Sequence, residues 1–514
     1  MTPTFSAAPL AAIGILALPA LICRFAHPRI ATPIARLGSF LTLAAVVAAA
    51  LGYAIHGSAQ WPAASATILG FGVRIDPLNL LAMFVVSFVG VVVVNFSRSY
   101  LDGNPRQSVF FARLAATLAA VMLLVSSATL LQLLTGWVLT SLTLHQLLLF
   151  YPDRPLAILA ARKKFWLARI GDLALLAAAA LRIREYGTIE IATINSMAIS
   201  GSPSLNSIAA GLLVVAALLK SAQFPLHGWL TEVMETPTPV SALLHAGIVN
   251  AGGYLMIRFA DVVMTSQTAL LMLIVIGGAS AVIASLIMLT QTNVKGQLGY
   301  STVAQMGFML LQCGLGAFAS AGLHLVAHSF YKAHSFLSSG SAVDQVREWR
   351  LSDAGQQRVS AGGLLLTLMV ALGIYSLIAL GANALFSYAG GVFALGVVYI
   401  IGLCGFLVRG LRGRAVLAKV VQHAALATVL YFTLQAGIQA YFADTLPSAT
   451  VLTPVASVVT SLLIAAFALV ALLQFSTVGE QSNFMKRIYL ATRKGFYFND
   501  YLNRLAGAYR RVSN

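Results

Sequence analysis

Residues 220–245 read KSAQFPLHGWLTEVMETPTPVSALLH, and this stretch decides how the rest of the chain is understood. Long apolar runs flank it, yet it holds a lysine, two glutamates, two histidines and three prolines. An ionisable side chain at the centre of a membrane helix costs at least ~2.5–3.5 kcal/mol, and such groups usually mark an ion path. Pro225, Pro237 and Pro239 also break any continuous helix. At membrane depth that is tolerated only where the freed backbone faces protein or a cavity.

The surrounding composition is that of an all-α polytopic membrane protein. The 514-residue chain is 59% hydrophobic and 9% charged, where a soluble domain carries about 25% charged residues. Fifteen apolar runs approach the ~20 residues that cross a bilayer, giving 14–15 expected transmembrane helices. They lie near 5–23, 38–56, 78–97, 111–127, 129–149, 165–181, 205–222, 239–257, 268–290, 300–317, 320–342, 361–381, 389–408, 420–442 and 453–475. Two long apolar blocks are divided, one around Ser126-Ser127 and the other near Ala319-Ser320.

With the N-terminus outside, 26 of the 32 lysines and arginines fall in cytoplasmic segments. Four fall in outer segments (Arg74, Arg182, Arg184 and Arg258), and Lys220 and Lys332 lie inside spans. This is the positive-inside pattern. It assigns the net charge of +17 to membrane topology rather than to nucleic acid, and places the C-terminus in the cytoplasm. Cys23, Cys313 and Cys404 lie in or beside apolar runs without CxxC spacing, so they read as packing residues. The start lacks a basic n-region and its apolar run is span-length, so no cleavable signal is expected. The basic tail 479–514 interleaves aromatics, as does an amphipathic helix lying on the inner membrane face or docking on a partner subunit.

Several polar residues fall inside the expected spans. Lys220 reads either as a snorkelling lysine at a span end or as a buried lysine that takes and releases a proton. Glu232 and Glu235 lie 12 and 15 residues further on, so only a chain reversal brings one near it; Glu235 is the preferred counter-ion. His324, His328 and Lys332 are spaced by four. Each such step drifts only ~40° around a helix, so the three share a stripe, whereas His334 faces elsewhere. A polar helix–helix contact is the plain alternative to a proton relay. A zinc site finds no cysteine or carboxylate to complete two histidines. His245 is either a core histidine or a relay member. Arg169 and Asp172 suit a structural ion pair, with a relay role secondary, His145 is ambiguous, and Lys295 is either an inner mouth of the path or a positive-inside residue. No GxxxxGK[ST] or GxGxxG motif and no metal-ligand cluster is visible, so no nucleotide, cofactor or catalytic centre is expected in this chain.

These residues carry a resemblance. KSAQFPLHGWL with METPTPVSALLHAG, NVKGQLGYSTVAQMGFM, HLVAHSFYKAHSFLSSGS, VRIDPLNLLAMFVVSFVG and ARIGD resemble the proton-conducting membrane subunits of respiratory complex I and of Mrp-type cation/proton antiporters. KGFYFNDYL is similar to that family's C-terminal element. The resemblance implies two inverted five-helix repeats with broken helices around a polar axis. The corresponding division is 1–110, N-terminal helices; 111–260, a first repeat; 268–410, a second, divergent repeat; 411–478, C-terminal helices; and 479–514, the tail. By the same resemblance Lys220 is the central lysine, His245 the histidine of the next helix, and Lys295, His324, His328 and Lys332 the connecting relay. Two features depart from the antiporters: Val138 stands where they carry a glutamate, and 361–390 has no lysine, proline or charge. Those departures, with GWVLTSLTLH and FYPDRP, resemble the membrane subunits of bacterial inorganic carbon pumps, an inner-membrane branch of the family. The implied partner is a DabA-type, zinc-containing protein similar to β-carbonic anhydrases. The implied role is proton or sodium movement that drives bicarbonate accumulation, with the zinc in the partner.

Overall fold

The computed structural model describes residues 4–62, 70–340, 361–385, 391–408, 414–447, 452–475 and 483–505. The chain divides into two compact units, one of residues 1–269, 324–339 and 499–514, the other of 270–323 and 340–498.

The first unit begins with α1 (Ala8–Ile22), α2 (Pro28–His56), a ribbon of β1 (Ala59–Trp61) and β2 (Val73–Ile75), α3 (Pro77–Tyr100), α4 (Gln107–Val125), α5 (Leu130–Leu148) and α6 (Pro155–Tyr186). It continues with α7 (Ile191–Met197), α8 (Pro203–Lys220), α9 (Gly228–Thr231), α10 (Thr238–Ala246), α11 (Ala251–Arg258) and α12 (Ala260–Met264). The ribbon is antiparallel, with Ala59 opposite Ile75 and Trp61 opposite Val73. Local chemistry sets several boundaries. Asp76 caps α3 by accepting from the Asn79 amide at 2.9 Å, with Pro77 as the first helical residue. Thr129 caps α5 in the same way at 3.2 Å. The long apolar block therefore divides at Ser126–Thr129, where the sequence placed it. Gly136 lets α5 lie against α4, since a Cβ there would sit 2.6 Å from the Leu124 amide nitrogen.

The decisive stretch breaks as its prolines require. α8 stops at Lys220, and Ala222 takes a left-handed φ of +51°. The short α9 and a 3-10 turn at Val233–Glu235 follow, and α10 opens with Pro239 in its first turn. A second interruption at Ile248–Asn250 separates α10 from α11. Ser221 Oγ donates to the Val249 carbonyl at 2.9 Å, tying the two breaks together.

The rest of the chain forms α13 (Gln267–Met272), which runs through a π turn into α14 (Gly278–Met288), then α15 (Val294–Gly314) and α16 (Phe318–Leu337). It ends with α17 (Ala361–Leu385), α18 (Gly391–Val408), α19 (Arg414–Phe442), α20 (Pro454–Phe475), α21 (Asn483–Arg493) and α22 (Phe498–Leu505). The second unit is built mainly from α14, α15 and α17–α21. One of its cores gathers Ile274, Leu311, Leu315, Leu395 and Ala456, another Ala371, Ile400, Leu403 and Ala424. The second divided block breaks at Leu315–Ala317, a few residues before the expected Ala319-Ser320. α17, without a proline, is continuous over 25 residues.

Ten helices among the described residues are long and apolar enough to cross a membrane. The other five expected spans are also helices, namely α5, α6, α15, α16 and α18. All three cysteines are buried and free.

Candidate ion path

In the first unit, Lys220 ends α8 beside α6 and α5. Its Nζ donates to the Trp137 carbonyl at 3.3 Å and lies 4.4 Å from the Trp137 ring centre. The carboxylate whose charge acts on it is Asp172. Asp172 is also paired with Arg169 at 2.7 Å, one turn away on α6. Lys164, two turns before Asp172 and buried, donates to the Ser141 carbonyl and to Ser141 Oγ at 3.0 Å. The charge of Lys220 acts on it in turn. A cavity of about 20 Å³ lies against Lys164, Trp137 and Lys220, large enough for one water. Near this cluster, the partly buried His145 ring lies 5.6 Å from that of Phe165.

The expected counter-ion is therefore corrected. Glu235 is occupied elsewhere: its carboxylate accepts from the Ala157 amide at 3.3 Å and its carbonyl from Arg154. Glu232 pairs with Lys163 and accepts from Asn503 Nδ2 at 3.0 Å. The prolines direct this segment toward the start of α6, whereas Asp172 lies deeper along α6. Without a glutamate at Val138, the lysine is served by a backbone carbonyl and by Asp172.

A second cluster in the same unit joins α10 to the later part of α16. His245 is 1% exposed and stacks on Phe336, ring centres 4.3 Å apart. His328 (3% exposed) and Lys332 (0%) are buried, and the His324 and His328 rings lie 6.1 Å apart. The charge of Lys332 acts on both His245 and His328. The fourfold spacing thus does place the three residues of α16 on one stripe, and the histidine of α10 faces it.

Between the clusters, Asn250 donates to Ser329 Oγ at 2.8 Å. A cavity of about 30 Å³ is lined by Thr140, Asn250 and Tyr254 among mostly apolar side chains. Ile248 lines both cavities. Lys295, in the first turn of α15, belongs to the second unit and is partly buried.

Sequence reasoning missed Lys164, which was counted among cytoplasmic loop charges. The signal was present: Lys164, Ala168 and Asp172 repeat the spacing of four that singled out His324–Lys332. It also counted Arg258 and Arg182 as outer loop charges. Both are buried in helices. Arg258 grips Asp76 with two bonds of 2.7 and 3.1 Å, and Arg74 adds a third contact at 3.0 Å. Arg182 bonds Asn206 and pairs with Glu185 at 2.7 Å. The tail reading changes too. α22 is held by its own chain, Asn499 on Thr231 Oγ1 at 3.3 Å and Asn503 on Lys163 at 2.6 Å. Residues 476–482 and 506–514 lie outside the described residues.

The class follows from comparison. The chain belongs to the NADH:quinone oxidoreductase/Mrp antiporter transmembrane family, whose profile matches residues 127–386. A second profile, the N-terminus of complex I chain 5, matches residues 61–111. Among individual proteins, the chain is 43% identical over 334 residues to the "Probable inorganic carbon transporter subunit DabB" of Hydrogenovibrio crunogenus, covering 64% of this chain and 62% of that one. It is 46% identical over 284 residues to "Probable inorganic carbon transporter subunit DabB2" of Halothiobacillus neapolitanus, covering 55% and 51%. NADH-quinone oxidoreductase subunit L of Mycobacterium tuberculosis is 34% identical over 299 residues, covering 57% and 47%. The chain thus spans between about half and three fifths of the length of these relatives. In fold it is similar to the Mrp complex of Dietzia sp., with a TM-score of 0.66 at 24% identity, covering 100% of this chain and 61% of that one. It is also similar to an archaeal membrane-bound sulfane sulfur reductase, at 0.59 and 17%, covering 98% of each chain. It is a multi-pass membrane protein of that family.

Proposed function

We propose that this chain is the proton-conducting inner-membrane subunit of a bacterial inorganic carbon pump, with its N-terminus outside and its C-terminus in the cytoplasm. The observation that carries the reading is the pair of buried and half-buried titratable clusters in one unit, Lys164–Asp172–Lys220 and His245–His324–His328–Lys332, with one water-sized cavity against Lys164 and Lys220 and another against Asn250. A proton, or sodium in its place, crosses through residues 111–260 and the α16 stripe. Asp172 acts as the counter-ion of Lys220; Lys295 is a path residue on resemblance alone. The energy is delivered to a DabA-type partner whose zinc hydrates CO2 to bicarbonate. The names of the two carbon-transporter relatives support this assignment.

The test is bicarbonate uptake by cells expressing this chain with a DabA-type neighbour, with and without protonophore. Uptake that requires both proteins and collapses with the proton gradient is expected; uptake indifferent to this chain refutes the reading. Asp172→Asn is expected to slow uptake roughly tenfold, the effect of losing about 1.4 kcal/mol of charge coupling to Lys220. An unchanged rate removes Asp172 from the path. The relation to NADH-quinone oxidoreductase subunit L favours a second reading, a redox-linked or Mrp-type antiporter subunit. Purifying the tagged chain separates the two: a zinc protein co-purifies in one case, quinone-oxidoreductase or Mrp subunits in the other.

A further inference from the structure

Away from the ion path, the first unit holds an open basin of about 810 Å³ where the start of α2, the end of α3 and the α3–α4 turn converge. Three arginines, Arg29, Arg36 and Arg98, line it together with His27, against one carboxylate, Asp102. Arg36 is held by its Nε, which donates to Asn95 Oδ1 at 2.9 Å, so its guanidinium is fixed in direction. The side chains of Arg29 and Arg98 have no ion-pair or hydrogen-bond partner among the described residues. The positive end of the α2 dipole points to the same place. Outside the basin's lining, the charges of Arg106 and Arg24 act on Arg113. Like charges are thus concentrated here without the carboxylates that would balance them.

The apolar surroundings say what kind of anion fits. Beyond Arg36, α2 turns Leu37, Phe40 and Leu41 outward, at 61%, 47% and 46% exposure. The spans of α1 and α2 are only 28% and 33% buried, against 67% and 72% for α3 and α4, so they are the most outward-facing helices near the basin. A free anion would satisfy the arginines and leave this apolar surface unused. A phospholipid satisfies both, its phosphate among the guanidiniums and its acyl chains along α2. Arginine is suited to the task because its planar fork matches two phosphate oxygens.

We propose that this basin binds the phosphodiester headgroup of an anionic phospholipid, seating the α1–α2 end of the protein at the lipid surface. The inference is independent of the ion path and of the carbon-pump reading.

The test uses the full chain in detergent, titrated separately with short-chain phosphatidylglycerol, short-chain phosphatidylcholine and inorganic phosphate, with binding read by native mass spectrometry. Phosphatidylglycerol is expected to be retained and phosphatidylcholine lost. The double variant Arg29→Gln with Arg98→Gln is expected to weaken phosphatidylglycerol binding roughly 30-fold, the effect of two surface arginines. The pair Arg29→Lys with Arg98→Lys, which keeps the charges and loses the planar fork, should recover only part of it. A thermal midpoint matching the unaltered protein without lipid establishes that the double variant is folded; if it is not, Arg98→Gln alone is read, with a loss of about fivefold expected. The proposal is overturned by unchanged phosphatidylglycerol binding in the folded glutamine variant, by equal retention of phosphatidylcholine, or by inorganic phosphate displacing the lipid at equal concentration.

Discussion

Lys220→Ala is expected to abolish bicarbonate-dependent growth of a carbonic-anhydrase-deficient host at ambient CO2, with the protein still present in the membrane at normal abundance. The expected loss of flux is at least ~100-fold, the usual consequence of removing a positioned proton donor and acceptor. The geometry supports so large an effect because, among the described residues, no other side chain combines contact with the Trp137 carbonyl, the field of Asp172 and the wall of the 20 Å³ cavity. Lys164 is close but is engaged by Ser141. Lys220→Arg sharpens the test, because a guanidinium keeps the charge and does not release its proton. A path that needs only a fixed cation survives this change, and a path that needs a titrating one fails in both variants. Normal growth of both would mean that the polar residues merely pack the helices together.

The second large effect concerns folding. Asp76→Asn leaves Arg258 buried without its carboxylate, and removal of one partner from a buried pair costs about 3–5 kcal/mol. Asp76 is 1% exposed and Arg258 7%, so water does little to compensate. The expected result is a marked fall in thermal midpoint in detergent. Asp76→Asn combined with Arg258→Met should recover part of it, because the double change removes both charges. Equal midpoints for the single variant and the unaltered protein would show that the pair contributes nothing. Acid provides a second measurement. Burial alone would raise the Asp76 carboxyl, but Arg258 and Arg74 outweigh it and hold the group below the ordinary carboxylate range. A depressed folded value means that the stabilisation is fully present above the unfolded value of about 3.9. It fades as the pH falls from there through the folded value. The unaltered protein should therefore lose more stability than the asparagine variant between about pH 5 and pH 2.

The helices were legible because each is a long apolar run, and the break after Lys220 was legible because proline acts locally. The stripe at His324, His328 and Lys332 was legible for the same reason, since helix periodicity is a short-range property. Pairings across helices were not. Asp76 and Arg258 are 182 residues apart in sequence. Glu235 was the expected partner of Lys220, and only the packing of α6 on α8 brings Asp172 to it. A hydrophobic pattern tells which face is apolar and is silent about the neighbour that covers it. Lys164 shows a different failure: a charge near a basic loop was assigned to topology before its own helical spacing was considered.

Because α8 terminates at Lys220 instead of running on, the last carbonyls of that helix, the negative end of its dipole, fall at the residue that carries the ammonium. Their partial negative charge, about half an electron at a helix end, belongs to the main chain and persists whichever side chains are exchanged. Stripping away the acidic neighbours would therefore lessen the hold on a cation without erasing it. Rebuilding the segment as one unbroken rod, by taking out Pro225 and its companions, would disperse that built-in attraction along the axis while every titratable group stayed in the sequence.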